Sequence, residues 1–551
     1  MRKVVIIGGV AGGMSAATRL RRLDPEASII VLERSGYVSY ANCGLPYYVG
    51  GVIANRSSLL LQTPESLNAR FALDVRVHNE VTAIDPVAKT VSVRNLQTGE
   101  DYALDYDALV MSPGASAIVP PLPGIERALT LRTVEDVDRL SAAVASDPAE
   151  ANDDPIHTVV VGGGFIGVET AENLVHRGIP VTLVEALDQV LAPLDPEMAI
   201  PVADELRRKG VELVLGSGLK AIYEDAVELA DGSRIRADLV VLAIGVRPDT
   251  TLAKMAGLEV GARGGILVNA MNQTSDPSIY AIGDAAEKTD ALDGSSVLVP
   301  LANIANRHGR VVADHIVGRP LRDVPTIATA IVKVFDLTVA ATGWNEKRLK
   351  AAGRPYVAIH THPGSHAGYY PGAHGMALKL LMDPATGEIL GAQGVGLDGV
   401  DKRIDVIATA IRGGITGPEL MDLELAYAPP FSSAKDPVNM LGYIADNVIG
   451  GVTELAQWHE VESRVAAGEV LVDVRTPGEF RRGHIPGALN LPVDDLREHL
   501  GELDGKRILV YCQVGMRGHT ATMLLRQSGI EAANLDGGYA TWSKSPAFVL
   551  S

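Results

Sequence analysis

The chain has 551 residues, 47% of them apolar, with 57 glycines and few aromatics; this excludes a disordered or fibrous protein and, at this length, a single hydrophobic core. A net charge of −18 and a pI near 5.2 argue against a nucleic-acid partner, because a phosphate backbone is repelled wherever basic residues are not clustered. Two cysteines cannot build a disulfide framework, the opening MRKVVIIGG reads as a strand rather than a signal peptide, and no apolar run reaches the ~18 residues that span a bilayer, so a cytoplasmic protein without a membrane partner is expected.

The first thirty residues, KVVIIGGVAGGMSAATRLRRLDPEASIIVLER, predict strand, Gly-rich turn, amphipathic helix and strand, a βαβ unit. The stretch 157–186, HTVVVGGGFIGVETAENLVHRGIPVTLVEA, repeats the pattern, so the chain holds two dinucleotide-binding units. Ahead of the second, SAAVASDPAEANDDP (141–155) reads as a polar linker. From about 325 to 450 short strands and helices predict a separate α+β domain, and the last hundred residues alternate strand and helix as a small independent domain.

Both βαβ units carry the chemistry of a nucleotide site. In the first, Gly8 and Gly13 are present and Val10 stands where the middle glycine belongs; Glu33 closes the second strand, where a carboxylate accepts ribose hydroxyls while a pyrophosphate rests on the helix N-terminus. The second has an intact Gly162, Gly164, Gly167 series closed by Glu185, and an acidic residue there favours the free 2′-hydroxyl of NADH over NADPH. A third sign is IYAIGDAA (279–286), which ends an apolar strand on Gly283 and Asp284 beside a helix start. With LVMSPGA and LVVLAIGVRPD, these motifs make residues 1 to about 450 resemble the pyridine-nucleotide disulfide oxidoreductase flavoproteins. The resemblance implies that the first unit binds FAD and the second NAD(P)H. It adds Arg34, Val81, Ser112, Gly114, Arg132 and Asp284 to the cofactor-binding residues and places a dimerisation domain after the flavin domain, hence a homodimer.

SYANCGLP (39–46) carries one cysteine where relatives with disulfide chemistry carry two, so Cys43 cannot form an internal disulfide and works either as a sulfenic acid or through a mixed disulfide with a small thiol. Near a flavin and a helix N-terminus its thiol is expected to have a lowered pKa. Ser15, Arg19 and Arg22 share one face of the first helix, and two guanidiniums there suit phosphates. Together with HAGYYPG, GVDKRID and AYAPPFSSAKDPVNMLGY, these segments are similar to coenzyme A disulfide reductases. That resemblance implies a Cys43 mixed disulfide with CoA, held by Ser15, Arg19, Arg22, Ser39 and Asn42, with Tyr369, Tyr427 and Lys435 reaching the site from the partner subunit. Asn306 stands where some relatives have histidine. A phenol at Tyr369 or Tyr427 could give a proton to a leaving thiolate.

Cys512, in VYCQVGMRGHTA, ends an apolar strand ahead of a loop whose amides and following helix N-terminus suit an anion. Cys512, four residues, then Arg517 makes a short cradle sized for a persulfide. With DVRTPGEFRRGHIPGALNLP and LDGGYATW, residues 454–551 resemble the rhodanese sulfurtransferase domain, in which Arg517 is expected to orient the anion and Asp473 and Arg475 to be structural.

The expected fold class is therefore α/β: a discontinuous Rossmann-like FAD domain (1–115 and 246–324), a Rossmann-like NAD(P)H domain (116–245), an α+β dimerisation domain (325–450) and an α/β rhodanese domain (454–551). The expected enzyme takes electrons from NADH, with NADPH as the alternative donor, and reduces CoA persulfide, polysulfide or CoA disulfide through Cys43, while Cys512 supplies sulfane sulfur. No metal is expected. The alternative is an NADH oxidase or peroxidase cycling through a Cys43 sulfenic acid.

Overall fold

Two parallel sheets organise the first part of the chain in the computed structural model, which describes residues 1–145 and 156–550. The first runs Ile279–Ala281, Ala108–Met111, Lys3–Ile7, Ser28–Leu32, Asp74–Arg76. The second runs Glu212–Leu215, Val181–Glu185, Thr158–Val161, Leu239–Leu242, Leu129–Thr130, and every pairing in both is parallel. Parallel strands are covered on both faces and so read as unbroken apolar runs: Val4 to Ile7 and Val159 to Val161 are all buried. Strands Ala115–Ala117 and Val246–Pro248, just beyond the two returning strands, pair with each other where the chain leaves and re-enters the first sheet.

The helix Ala11–Leu23 packs along Ala302–Ile316 at unusually close range. A Cβ on Gly309 would lie 2.4 Å from the Gly12 carbonyl oxygen and 2.8 Å from the Ala16 nitrogen, so only glycine fits there. The close approach sets Ser15 against Asn306 and Arg19 against Asp314.

The chain divides into two units, residues 1–186 with 210–328, and 187–209 with the chain from 329 onward. In the second, an antiparallel sheet runs Ala330–Val334, Leu337–Gly343, Ile389–Gly396, Met376–Met382, Val357–Thr361, with the last strand at its edge. Helices Val400–Gly413 and Pro437–Ile449 bury Ile404, Ile407, Val438 and Leu441 against it. A further parallel sheet follows: Leu455–Ala456, Glu531–Leu535, Arg507–Tyr511, Val470–Asp473, Leu489–Asn490.

The linker expected at 141–155 needs correction at its start: residues 141–145 complete the helix Val134–Ala145, whose Leu140 and Val144 are buried. The rest of that stretch lies outside the described residues. The motif at 279–286 also differs in detail, since its strand stops at Ala281 and Gly283–Ala285 forms a single 3-10 turn.

Candidate active site

The two Gly-rich turns superimpose in their logic. Gly8 has φ +95°, and a Cβ there would meet the Ser112 carbonyl oxygen at 2.1 Å; one on Gly13 would meet the Gly8 oxygen at 1.9 Å. In the second unit a Cβ on Gly167 would meet the Gly162 oxygen at 1.8 Å, whereas one on Gly164 would meet nothing within 4 Å. The outer glycines therefore serve the turn and the middle one leaves open space, the room a pyrophosphate needs. Val10 and Gly164 are the N-caps of helices Ala11–Leu23 and Phe165–His176, and neither helix end has a side-chain cap, so the N–H groups of both first turns are left for an anionic ligand. These features fit FAD at the first turn and a nicotinamide dinucleotide at the second.

Each of the two carboxylates lies at the end of the second strand of its unit. Glu33 is buried; its Oε2 accepts from Gly9 N–H and its Oε1 from Ser35 N–H, both at 2.9 Å. Burial pushes its pKa up and those two bonds pull it back. Glu185 Oε2 accepts from Gly163 N–H at 2.6 Å. At the same end of the first sheet, Arg132 donates to Asp284 Oδ2 at 2.6 Å and to the Ala115 carbonyl at 3.1 Å. Gly114 turns at φ +75°, Val81 is buried in the strand Asn79–Asp85, and Arg34 lies 3.8 Å from Asp249.

Cys43 is exposed in the turn Asn42–Gly44. Its loop is tied to the nucleotide turn at one end, where Ser39, in the left-handed region at φ +47°, donates its N–H to the Gly9 carbonyl at 2.8 Å. At the other, Ala41 N–H donates to the Leu59 carbonyl at 2.8 Å. The chain's own residues do not give the lowered thiol pKa expected from the sequence. The helix that follows, Leu45–Val49, has only five residues, and partial burial first and the Glu169 carboxylate second push the thiol up, with Arg132 pulling the other way. Glu169 Oε1 accepts from Tyr47 Oη at 3.0 Å. Neither Glu169 nor Tyr47 is visible as a site residue in the sequence, because the contact joins positions 122 apart.

The helix face proposed for phosphates is altered by its neighbour. Arg19 is paired with Asp314, Nη2 to Oδ1 at 2.7 Å, and Ser15 Oγ donates to Asn306 Oδ1 at 2.8 Å, while Arg22 is exposed. Arg22 is thus the freely presented cation of the pair, and the two-guanidinium face expected from spacing is corrected to one with a carboxylate built in. In the second unit Tyr369 and Tyr427 share a hydrogen bond between their hydroxyls at 2.8 Å, both exposed, and that bond raises the Tyr369 pKa. Lys435 sits over the Tyr443 ring at 5.7 Å.

Cys512 is fully buried at the end of strand Arg507–Tyr511, and Gly515, at φ +97°, donates its N–H to Sγ at 3.2 Å. Helix Met516–Gln527 follows without a side-chain cap. Arg517 lies beside the sulfur, but its guanidinium is forked onto Glu479 at 2.9 and 2.6 Å. That pair holds the Glu479 carboxyl down to about 2. The expectation that Arg517 simply orients the anion is corrected accordingly: its charge is largely matched by Glu479, and the Gly515 N–H is bonded to the sulfur. Asp473 and Arg475 form a buried fork at 3.0 and 2.7 Å, and Arg475 Nη1 braces the loop by donating to Gln513 Oε1 at 3.0 Å.

Residues 2–309 match the pyridine nucleotide-disulphide oxidoreductase family, 329–437 its dimerisation domain and 457–545 the rhodanese-like domain. The chain belongs to the pyridine nucleotide-disulphide oxidoreductase family. It is an enzyme of that family, and membership implies FAD and NAD(P)H. It is 36% identical over 448 residues to the coenzyme A disulfide reductase of Staphylococcus aureus, covering 81% of this chain and 100% of that one. The crystal structure of reduced Bacillus anthracis CoADR-RHD is 50% identical, covers 98% of both chains and superposes with a TM-score of 0.96. An NAD-dependent persulfide reductase from A. fulgidus is 38% identical, covers 98% of this chain and 100% of that one, with a TM-score of 0.91. Among the described residues no helix is long and apolar enough to cross a membrane.

Proposed function

We propose that this enzyme is an NADH-dependent reductase of CoA-linked sulfur working through a Cys43–S–S–CoA mixed disulfide, with the Cys512 domain supplying sulfane sulfur. The observation that carries the reading is Cys43 itself: an exposed thiol on a loop bonded directly to the first nucleotide turn, in a chain whose other cysteine is buried and accepts from the Gly515 N–H. The coenzyme A disulfide and persulfide reductases above support the substrate class. FAD would be held by Gly8, Val10, Gly13, Glu33, Arg34, Val81, Ser112, Gly114, Arg132 and Asp284, and NADH by Gly162, Gly164, Gly167 and Glu185; bound, they supply an electron pair.

The chain's own part is sulfur chemistry. The Cys43 thiolate attacks one sulfur of CoA disulfide, forming Cys43–S–S–CoA and expelling a CoA thiolate; with CoA persulfide the leaving group is hydrosulfide. Two electrons then break the mixed disulfide into the Cys43 thiolate and a second CoA thiolate. In a homodimer the Tyr369–Tyr427 pair is the proton source for the departing thiolate. Ser15, Arg22, Ser39, Asn42, Asn306 and Lys435 bind CoA, with Arg19 held beside them by Asp314. FAD binding is assigned to 1–115 with 246–324, NAD(P)H binding to 116–245, dimerisation to 325–450 and sulfur transfer to 454–551.

Steady-state assays of Cys43→Ser and Cys512→Ser test this. Cys43→Ser is expected to abolish NADH-dependent reduction of CoA disulfide and CoA persulfide, and Cys512→Ser to keep both while losing sulfur transfer from thiosulfate to cyanide. Full reduction by Cys43→Ser overturns the reading. Hydrogen peroxide reduction by the wild type with no turnover of either CoA substrate would favour the sulfenic-acid alternative instead.

A further inference from the structure

His360 lies at the open edge of the antiparallel sheet, on the strand Val357–Thr361, and it is buried. An open edge leaves alternate backbone groups without a strand partner. Here two of them are taken by the C-terminal domain: Asp536 Oδ1 accepts from His360 N–H at 3.0 Å, and Gln457 Nε2 donates to the Ala358 carbonyl at 2.9 Å. Two residues on, His362 Nε2 meets Thr541 Oγ1 at 2.7 Å. Ala358, His360 and His362 therefore dock three separate points of that domain in one register.

The His360 ring adds a charged link. Nδ1 lies 2.6 Å from Asp536 Oδ2 and Nε2 3.1 Å from Glu197 Oε1. Both ring nitrogens face carboxylate oxygens, so both must donate, which only the imidazolium can do. Glu197 in turn contacts Lys379, whose ammonium fills the space among Asp195, Glu197 and Glu346.

On its far side the Asp536 loop touches the sulfur cradle. Tyr539 and Ala540 donate their N–H groups to the carbonyls of Cys512 and Gln513 at 2.8 and 2.9 Å. Neither surface of the loop has slack: a Cβ on Gly537 would lie 2.9 Å from His360 Cβ, and one on Gly538 would lie 2.5 Å from the Cys512 oxygen. The loop is held between the imidazolium and the nucleophile's own peptide.

We infer that His360 is a positioning residue for sulfur transfer at Cys512, acting through Asp536 to fix the loop that anchors the Cys512 and Gln513 carbonyls, so that the C-terminal domain works as a docked part of the enzyme and not as a tethered one. This rests on the sulfurtransferase role given to Cys512 above. The groups facing His360 are Asp536, Glu197, Lys379 and His362.

The test uses the full-length holoenzyme and its His360→Leu, His360→Gln and Asp536→Asn variants. His360→Leu is expected to lower kcat for thiosulfate-to-cyanide transfer at least about tenfold with KM little changed, as a misplaced reacting group does. CoA disulfide reduction should be unaffected. His360→Gln, which still donates to Asp536, should recover part of the loss, and the wild type's advantage over it should shrink as pH rises through about 9, where His360 loses its proton. Hydrogen exchange by mass spectrometry gives a second readout: faster exchange in peptides covering 512–516 and 537–541, with the Arg507–Tyr511 strand still protected. If His360→Leu does not fold, Asp536→Asn, which preserves shape, is judged by the same two readouts. A folded variant with wild-type kcat and wild-type exchange overturns the inference. If no form transfers sulfur, the proposed role of Cys512 fails, while the exchange data still decide whether His360 orders the cradle.

Discussion

Replacing Lys379 with methionine should unfold the second unit at a markedly lower temperature. The lysine is fully buried, its ammonium 2.9 Å from Asp195 Oδ2 and 2.5 Å from Glu346 Oε1, with Glu197 bonded as well. The three carboxylates offer oxygens within 4.8 Å of one another, a set that invites a cation, and the lysine is that cation. Glu346 shows the scale of the coupling: its carboxyl is held down to about 2 from the ordinary 4.5, with burial opposing and the Lys379 charge as the main stabiliser. At ~1.4 kcal/mol per pH unit that is about 3 kcal/mol. Removing one partner of a buried ionic group and stranding the other generally costs about 3–5 kcal/mol. For a unit of this size such a loss lowers Tm by roughly 6–20 °C. The sign in pH follows from the lowered Glu346 pKa: its contribution is complete above pH 4.5 and is lost as pH falls towards 2. Thermal scanning of Lys379→Met beside Lys379→Arg, with hydrogen exchange to locate the melting segment, measures this. A Lys379→Met protein that melts with the wild type would refute the reasoning.

Two further predictions concern the first unit. Gly8→Ala places a methyl 2.1 Å from the Ser112 oxygen at a φ that disfavours any side chain, so the purified protein should carry much less flavin by absorbance, whereas Gly164→Ala, in open space, should fold normally and raise KM for NADH. Glu169→Gln removes one of the two main causes that push the Cys43 thiol up, so in a Cys512→Ser background the pH midpoint of Cys43 alkylation should fall; an unchanged midpoint would show that burial alone sets it.

Local signals in the sequence were legible because they depend on neighbours. Gly162, Gly164 and Gly167 mark a strand-to-helix turn by their spacing alone, and Glu185 ends the adjacent strand, so both the strand-turn-helix and its carboxylate could be read directly, although the Ala243 oxygen that a Cβ on Gly162 would meet at 2.4 Å comes from a distant segment. The Cys512 loop was legible for the same reason. What could not be read is what distant segments bring to these places. Arg19 and Arg22 look alike on a helical wheel, yet Asp314, nearly three hundred residues on, claims one of them. Arg517 meets Glu479, and the Cys43 thiol is pushed up by burial first and then by a carboxylate from the second βαβ unit. Only the start of the linker expected at 141–155 differs, because the Ala-rich stretch 141–145 is also good helix sequence, and Leu140 and Val144 extend the buried face of the helix Val134–Ala145. His360 and Lys379 gave no signal, since isolated polar residues in an apolar strand acquire meaning only when the carboxylates around them are known.

The central claim is a covalent one, and intact-protein mass spectrometry after incubation with CoA disulfide, without NADH, addresses it directly. The wild type and Cys512→Ser should each gain the mass of one CoA moiety, mapped to Cys43 and released by a reducing agent. Cys43→Ser should gain nothing. An adduct absent from the wild type, or present undiminished in Cys43→Ser, would contradict the account.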